Sequence, residues 1–393
     1  MFKDKKGKYH VAWFGCDNPN MGYGSSNKAL KEALAQNGII VHDVITDTEG
    51  AEKCDVGIAY STAGQGALEM LPTPYRIMFT MFEADRFPQS WVSTCNCANQ
   101  VWVPSEFCKD ALLKSGCESP VHVVPLGFDP KAFYPTEPAR SNEYTFGYVG
   151  SATMRKGFDL LQKAFLDEFK PDENAKLLIH SSNIISSAMI DDPRIEYSTG
   201  TISQDELRDI YGRMDLFVMP TKGEGFGLTA LESMACGTPV AVTGFGGSLD
   251  YMHHDCLHIG IDGMESCKGY HGSEGEWAKP SMASIRYCMR YAFENPELMK
   301  MMGSDAETRV LENWTYQHTA NDIKALLKDT DPAERVETEF VDVIVWTGNP
   351  RNVRTKIGAF IRGEARELTP EQTAMIDLND TRFRRERRYR RIK

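Results

Sequence analysis

Residues 219–250 read MPTKGEGFGLTALESMACGTPVAVTGFGGSLD, a glycine-rich loop followed by a run of apolar residues at helical spacing. Apolar residues 216–218 lead into this stretch like a buried strand, and the helical run begins at Leu228. Gly237 and Pro239 end the helix, after which a second apolar strand follows. The stretch therefore predicts a strand, a loop, a helix and a strand, which is the repeating unit of an α/β fold.

Two glutamates in this stretch are candidates for ligand binding. In such a unit the ligand lies beyond the strand ends, where the helix offers unpaired N–H groups and a positive dipole end. A diphosphate fits this position, and Gly225 and Gly227 allow the backbone to approach it closely. Glu224 is predicted in the loop, and Glu232 lies in the helix, where a carboxylate can accept hydrogen bonds from two vicinal hydroxyls. The alternative interpretation is a glycine-rich turn with two solvated glutamates.

The pattern P-T-x-x-E-G-F-G-L-x-x-L-E-S-M-A-C-G-T-P-V of residues 220–240 resembles the nucleotide-sugar site of the retaining glycosyltransferases of family 4. The resemblance implies the GT-B fold, in which two Rossmann-like domains face a cleft. It implies that Glu224 contacts the donor sugar and that Glu232 binds the ribose of the nucleotide. These two residues are the ends of an E-x7-E motif. The donor-binding residues predicted in this way are Glu232, Gly22, Gly24, Ser151, Gly225, Phe226, Gly227, Leu228, Gly246 and Gly247.

Adjacent cations at positions 155 and 156 precede another predicted helix. They are either a solvated pair or the groups that neutralise a diphosphate leaving group. The family pattern has an arginine where this chain has Ser151, and a lysine that matches Lys156. We expect Arg155 to take the place of the missing arginine. The predicted catalytic residues are therefore Glu224, Lys156 and Arg155.

The acceptor side is predicted from the N-terminal half, where residues 82–88 read FEADRFP at a strand end. Many enzymes of the family carry a histidine in this region, whereas this chain has Glu83 and Asp85, as in a subgroup with M-F-E-x-D-x-x-P-x-x-W. These carboxylates either bind acceptor hydroxyls or stabilise the start of a helix. The loop with Gly22 and Gly24 is expected to close over the diphosphate and the acceptor.

The length of 393 residues suits two ordinary domains. We predict an N-terminal domain at 1–128, a nucleotide-sugar domain at 129–314, a helix at about 315–328 that crosses back, and a small extension at 329–393. No apolar run approaches the roughly 18 residues of a membrane span, and no signal-peptide pattern is evident, so a cytoplasmic protein is expected. The ten cysteines contain no C-x-x-C, which favours reduced thiols over structural zinc.

The C-terminal tail has a charge opposite to that of the rest of the chain. Residues 351–393 contain 13 Lys and Arg against 6 Asp and Glu, a net charge of +7, so the remaining residues carry −18. If residues 382–393 form a helix, arginines 384, 388 and 391 form one stripe. The tail is then solvated, docks on an acidic protein surface such as a second copy of this chain, or binds nucleic acid. An anionic membrane surface is a weaker option because the stripe lacks an apolar face.

The resemblance implies a hexosyltransferase that uses a UDP- or GDP-sugar with retention of anomeric configuration. No cofactor and no metal ion are expected, since the family needs no metal and the one D-x-D, residues 329–331, lies in a predicted linker. The acceptor is open among glycan, lipid, protein and nucleic acid. The alternative is a non-catalytic sugar- or nucleic-acid-binding protein on a glycosyltransferase scaffold.

Overall fold

The computed structural model describes residues 2–15, 22–64, 66–137, 142–183 and 188–334, together with the backbone of five strands within 338–391. Its main body has two parallel sheets of six strands each, with helices in most of the connections between strands. This architecture confirms the predicted α/β class. The central strands β3, β4, β10 and β11 are buried along their whole length, as expected for parallel sheets with helices on both faces.

The first sheet has the strand order β2-β1-β3-β4-β5-β6. Its strands are β1 (Tyr9–Gly15), β2 (Ile39–Asp43), β3 (Val56–Tyr60), β4 (Tyr75–Phe79), β5 (Gln100–Val103) and β6 (Val121–Val123). Its helices are α1 (Gly22–Gln36), α2 (Thr48–Glu52), α3 (Gln89–Cys95) and α4 (Glu106–Lys114). The sequence places Gly22 and Gly24 in a loop, but the structure places both in the first turn of α1. Burial of the later residues Leu30 and Leu34 stabilises α1 and outweighs the low helix propensity of these glycines.

The second sheet has the order β12-β11-β10-β7-β8-β9. Its strands are β7 (Tyr144–Val149), β8 (Ala175–Ser181), β9 (Ile195–Thr199), β10 (Leu216–Met219), β11 (Val240–Thr243) and β12 (Leu257–Ile259). The connecting helices are α5 (Phe158–Glu168), α6 (Gln204–Gly212) and α7 (Leu228–Ala235), and a short 3-10 helix covers Gly247–Asp250. The strand order reverses between β7 and β10, the point at which open α/β sheets bind their ligands.

Further elements link the two sheets. A hairpin of β13 (Ile261–Ser266) and β14 (Glu276–Pro280), absent from the sequence prediction, is followed by α8 (Met282–Glu294), α9 (Pro296–Asn313) and α10 (Tyr316–Asp329). Helix α10 packs on α1, and Asn37 donates to Gln317 at 2.7 Å. One apolar cluster contains residues of both sheets, among them Trp13, Phe79, Phe128, Phe217 and Tyr316. The predicted domain boundaries remain a prediction.

The described segments of the C-terminal extension are strands, so the helix considered for the tail does not form at residues 383–391. The strands are β15 (Thr338–Trp346), β16 (Val353–Thr355), β17 (Gly358–Phe360), β18 (Ala365–Glu367) and β19 (Phe383–Arg391). Strand β19 pairs with β15 over its whole length in an antiparallel register that matches residue 387 with residue 342. A strand alternates sides at every residue, so positions 384, 388 and 391 do not share one stripe. The β-branched and aromatic residues of β15 favour this pairing over an isolated helix.

Candidate active site

The candidate site lies at the carboxyl ends of β7 and β10, at the reversal of the second sheet. The loop after β7 contains Ser151, Arg155 and Lys156, and the loop after β10 contains Glu224. These loops touch, because Lys222 N donates to the Arg155 carbonyl at 2.7 Å. The structure therefore brings together the three residues predicted to be catalytic, although 68 positions separate Lys156 from Glu224.

Glu224 is a buried carboxylate with several partners, since 5% of its surface is exposed. It accepts hydrogen bonds from Lys156 Nζ at 2.8 Å and Thr221 Oγ1 at 2.9 Å. Arg155 Nη1 lies 3.2 Å from its Oε1. Burial raises the pKa of Glu224, but Lys156 and Arg155 outweigh this effect and hold the pKa below its usual value. Glu224 is therefore ionised at neutral pH.

Arg155 lies between carboxylates that follow strands of different sheets. Besides Glu224, its guanidinium faces Glu83 with Nη2 at 3.5 Å from Oε1, and it donates to the Gly223 carbonyl. Burial lowers the pKa of Arg155, while Glu224 and Glu83 raise it further than burial lowers it. The guanidinium contacts carboxylates in this arrangement, so its predicted contact with a diphosphate stays a prediction.

The glycine-rich loops are packed directly against one another. Gly227 has φ +92° at the start of α7, a left-handed conformation that glycine adopts without steric cost. Gly247 N donates to the Glu224 carbonyl at 2.8 Å, and a Cβ on Gly247 would lie 2.0 Å from the Gly225 carbonyl oxygen. Gly246 adjoins this contact. These glycines position the backbone of the Glu224 loop.

Two neighbouring residues of the predicted donor set differ in their surroundings. The Phe226 side chain is buried against Tyr251 and Trp314, with ring centroids 5.4 Å and 6.0 Å away. Leu228 is the first residue of α7 and is partly buried. The Phe226 side chain therefore belongs to the apolar core. The predicted contact of this residue with a donor then involves only its backbone.

Glu232 lies on α7 at the wall of a cavity of about 720 Å³. Tyr211 Oη donates to Glu232 Oε2 at 2.9 Å. Burial raises the pKa of Glu232 to about 7, although the Tyr211 hydrogen bond lowers it. The carboxyl group thus changes its charge near neutral pH, and a ligand whose hydroxyls donate to it would favour the ionised form.

The cavity combines residues of both sheets. Of the predicted donor-binding residues, its lining includes Gly24, Ser151 and Glu232. Residues that the sequence analysis did not single out also line it, namely Lys28, Lys31, Glu32, Asp129, Phe133, His180, Ser181, Thr201, Ile202, Leu207 and Thr229. Lys28 follows Gly24 by one helical turn on α1, so the predicted glycine loop was the signal that could have located it.

The predicted acceptor-side residues lie together after β4, on the other side of Arg155 from Glu224. Glu83 Oε2 accepts from Tyr270 Oη at 3.3 Å. Asp85 accepts from Glu276 N at 2.7 Å and pairs with Lys114. Asp85 therefore connects the hairpin to the first sheet, whereas Glu83 faces the catalytic cations. Tyr270 and Trp277 of the hairpin region were missed by the sequence analysis, which assigned no function to residues 261–280.

The first sheet also contacts the Glu224 loop directly. Ser105 Oγ donates to the Gly225 carbonyl at 2.7 Å, and Glu106 N donates to Asp250 Oδ2 at 2.8 Å. A Cβ on Gly223 would lie 1.9 Å from the Glu83 carbonyl oxygen. The site is thus formed where the ends of the two sheets meet.

Comparison with known proteins supports the α/β architecture described above. The family model "Glycosyl transferases group 1" matches residues 143–263, which contain β7 to β12 and the whole Glu224 loop. The chain contains a glycosyl transferases group 1 domain. Together with the first sheet, this group 1 domain forms an architecture that resembles GT-B glycosyltransferase structures. One is a sucrose-phosphate synthase from Thermosynechococcus elongatus, with a TM-score of 0.63, 16% identity, and coverage of 81% of this chain and 98% of that chain.

The structure of Anabaena HepE in complex with UDP-glucose is also similar to this chain. Its TM-score is 0.62 at 13% identity, and the match covers 82% of this chain and 99% of that chain. Among curated proteins, mannosylfructose-phosphate synthase of Agrobacterium fabrum is 31% identical over 162 residues, 34% of this chain and 35% of that protein. A D-inositol 3-phosphate glycosyltransferase of Thermobispora bispora is 48% identical over 62 residues, 16% of this chain and 14% of that protein. The matches thus span about a third or less of these curated relatives.

Three further observations concern the described part of the chain. Its helices include none with the length and apolar character that crossing a membrane requires. No three of its His, Cys, Asp or Glu side chains are grouped so that they could hold a metal ion. The nine cysteines that the structure describes are free and buried, and Cys108 and Cys236 lie in apolar clusters.

Proposed function

We propose that this chain is a hexosyltransferase that moves a sugar from a UDP- or GDP-sugar to an acceptor hydroxyl. The observation that carries the proposal is Glu224, a buried and ionised carboxylate at the strand-order reversal. Helix α7, which follows its loop, lines the cavity with Thr229 and Glu232. The resemblance of the Glu224 loop to family 4 supports the same assignment. In the reaction, the bond from the anomeric carbon to the diphosphate breaks, a bond to the acceptor oxygen forms, and the hydroxyl proton passes to the diphosphate.

The cavity is the proposed donor site. Its volume of about 720 Å³ lies within the range typical of small-molecule sites. Glu232 accepts hydrogen bonds from the ribose hydroxyls, and the backbone around Ser151 and Gly24 approaches the diphosphate. Lys28 lines the same cavity from α1 and adds a positive charge facing the donor. The HepE structure, which is in complex with UDP-glucose, supports this use of the fold.

Lys156 and Arg155 are proposed to act on the leaving group without a metal ion. Both cations already neutralise Glu224, at 2.7 Å and 3.2 Å. A diphosphate that reaches this loop shares those cations, and its developing charge in the transition state strengthens the contact. Glu83 lies on the acceptor side of Arg155, and retention of anomeric configuration follows the family resemblance.

The test is nucleotide release from a panel of UDP- and GDP-sugars, with water and simple sugars as acceptors. We expect turnover of at least one donor in the presence of EDTA, and a product with the anomeric configuration of the donor by NMR. Restoration of an EDTA-treated enzyme by Mg²⁺ or Mn²⁺ contradicts the metal-free proposal. Donor binding without any release would instead favour the non-catalytic alternative.

Two variants separate the proposed roles of the glutamates. Glu224→Gln should lower kcat about 100-fold or more, by analogy with the loss of one charge-stabilising group at a reacting centre. Glu232→Gln should mainly raise the donor KM, because ribose contacts are made equally in ground and transition states. The outcome that contradicts the site is full turnover and full donor affinity in both variants.

A further inference from the structure

The hairpin of β13 and β14 reaches from the second sheet to the acceptor side of the first. Asp85 N donates to the Glu276 carbonyl at 2.9 Å, and Glu276 N donates to Asp85 Oδ1 at 2.7 Å. Ser273 Oγ donates to the Arg86 carbonyl at 2.8 Å. Three hydrogen bonds thus hold the hairpin on the segment that contains Glu83.

The base of the same hairpin is fixed on the catalytic loop of the second sheet. Ala278 N donates to the Lys222 carbonyl at 2.8 Å. Lys222 Nζ pairs with Glu265 at 2.5 Å, and Trp277 Nε1 donates to the same carboxylate at 3.1 Å. Lys222 is two residues before Glu224, so the hairpin connects the predicted acceptor side with the predicted donor side.

Tyr270 lies between the two strands of the hairpin and contacts both charged groups at the junction. Its hydroxyl donates to Glu83 Oε2 at 3.3 Å, and the Arg155 guanidinium carbon lies 5.8 Å from its ring centroid. Burial raises the pKa of Tyr270 to about 12, so its hydroxyl remains a donor at neutral pH. The ring also packs on Phe82 and Trp277, at centroid distances of 5.7 Å and 5.2 Å.

The backbone beside Tyr270 is strained. His271 has φ +50°, a left-handed conformation that non-glycine residues adopt at a cost. Its ring lies 6.3 Å from that of Phe82 and 5.6 Å from that of Trp91, so apolar contacts with the first sheet hold this turn. Strained residues of this kind persist where the surrounding structure over-determines them, often at functional sites.

We propose that Tyr270 is a positioning residue for the transfer reaction. Its ring and hydroxyl fix Arg155 and Glu83 relative to each other, and Arg155 in turn fixes Glu224. This inference rests on the proposed function, since it takes Glu224 as the residue that contacts the donor sugar. Tyr270 is not among the described residues that line the donor cavity. Its loss should therefore affect the chemical step more than nucleotide binding.

The experiment measures nucleotide release from UDP-glucose, UDP-N-acetylglucosamine and GDP-mannose, with water as the acceptor. It compares wild type with Tyr270→Phe, Tyr270→Leu and Tyr287→Leu. The last is a control at a tyrosine of α8 that is 67% exposed. Tyr270→Leu should lower kcat about 10- to 100-fold, with the donor KM within about threefold, since small misplacements of reacting groups are costly. Tyr270→Phe, which retains the ring, should lose less, and Tyr287→Leu should match wild type.

A double-mutant cycle shows whether Tyr270 acts through Glu83. If it does, Tyr270→Phe combined with Glu83→Gln should be no slower than Glu83→Gln alone, because the second substitution removes the same contact. Circular dichroism and thermal unfolding check that each variant is folded. If Tyr270→Leu is unfolded, Tyr270→Phe and the cycle decide.

The outcomes separate this inference from the proposed function. If wild type turns over a donor and the folded Tyr270 variants keep the same kcat, the positioning role alone is overturned. A raised KM at unchanged kcat in these variants has the same meaning. Independent effects of Tyr270→Phe and Glu83→Gln overturn the pathway through Glu83. A wild type that binds and turns over none of the donors overturns the proposed function and the positioning role together.

Discussion

At the scale of single residues, Glu232 should make donor binding depend on pH. Burial raises its pKa to about 7, and ribose hydroxyls donate to the ionised carboxylate rather than to the protonated form. Nucleotide affinity should therefore rise as the pH increases through 7. Calorimetric titration of UDP and GDP between about pH 6 and 8 measures this effect. The Glu232→Gln variant is the control. Its nucleotide affinity should lack the pH dependence that the titration of Glu232 causes.

The same titration has the opposite effect on stability without nucleotide. The pKa of Glu232 is about 7 in the folded chain against a usual value of 4.5, so the folded state binds the proton more tightly. The free energy of unfolding should thus fall as the pH rises from about 4.5 to about 7, relative to Glu232→Gln. Urea unfolding at several pH values measures the difference. If the free energy of unfolding instead rises with pH over this range, relative to Glu232→Gln, the pKa of Glu232 is not raised.

Lys156 should contribute both to stability and to turnover. Its ammonium group lies 2.7 Å from the buried Glu224 carboxylate, and its removal leaves that charge with fewer partners. Breaking such a pair from one side costs roughly 3 kcal/mol of unfolding free energy. Lys156→Met should also lower kcat about 100-fold if the same group neutralises the diphosphate.

The double variant Lys156→Met with Glu224→Gln separates these two effects of Lys156. Urea unfolding should show that stability is partly recovered, because the unpaired carboxylate is gone, while nucleotide release stays low. Restored turnover in the double variant would show that Lys156 acts on Glu224 alone.

At the scale of elements, the contact between the loops after β4 and β10 sets the geometry of the site. A Cβ at Gly223 would lie 1.9 Å from the Glu83 carbonyl oxygen, so Gly223→Ala must push these loops apart. We expect a loss of about 1–3 kcal/mol in unfolding free energy and a fall in kcat of about 10-fold or more. Gly64→Ala is the matched control, since its nearest atom would be a side-chain oxygen 3.6 Å away. Equal kcat values for the two variants would contradict a role for this contact.

Elements with a clear period or terminal signal could be predicted from the sequence. Ser203 and Glu206 form the capping box that starts α6, and α9 begins at Pro296. The Glu224 loop was located because its glycines, glutamates and flanking strands occur within one short stretch. The hairpin of β13 and β14 was not, since residues 261–266 are mostly exposed and lack an alternating apolar pattern. Its position is set by contacts with residues about 190 positions away, such as Asp85, which no local pattern records.

At the site itself, the sequence could not predict all the contacts of Arg155. The sequence indicates a cation near a glycine-rich loop, and the structure shows that its guanidinium also faces Glu83 of the first sheet. That partner is distant in the chain, and so only tertiary packing decides how the charge is shared.

At the scale of the whole molecule, the net charge of +7 at residues 351–393 is opposite to the −18 of the remainder. If the tail binds nucleic acid, affinity of the full chain should fall steeply between about 50 and 200 mM salt, because phosphate contacts release counterions. Fluorescence anisotropy with labelled DNA and RNA measures this. A truncation after Glu334 removes β15 to β19 together and leaves no unpaired edge of that sheet.

The truncated chain should lose nucleic-acid binding but retain nucleotide release, since every predicted donor residue precedes position 251. Equal binding by the full and truncated chains would exclude the tail as the binding element. If the full chain instead associates with itself at low salt, measured by sedimentation, docking on the acidic surface of a second copy is favoured.

The packing of α10 on α1 has a consequence for the order in which the chain folds during synthesis. All six strands of the second sheet have left the ribosome once residue 259 has emerged. The first sheet has its strands by residue 123, yet one of its covering helices is α10, at residues 316–329. The apolar face of α1 that α10 covers therefore stays open while nearly 200 further residues are translated. The first sheet and its helices are therefore synthesised first but completed last. A nascent chain stalled before residue 316 would expose the uncovered face of α1 to chaperones.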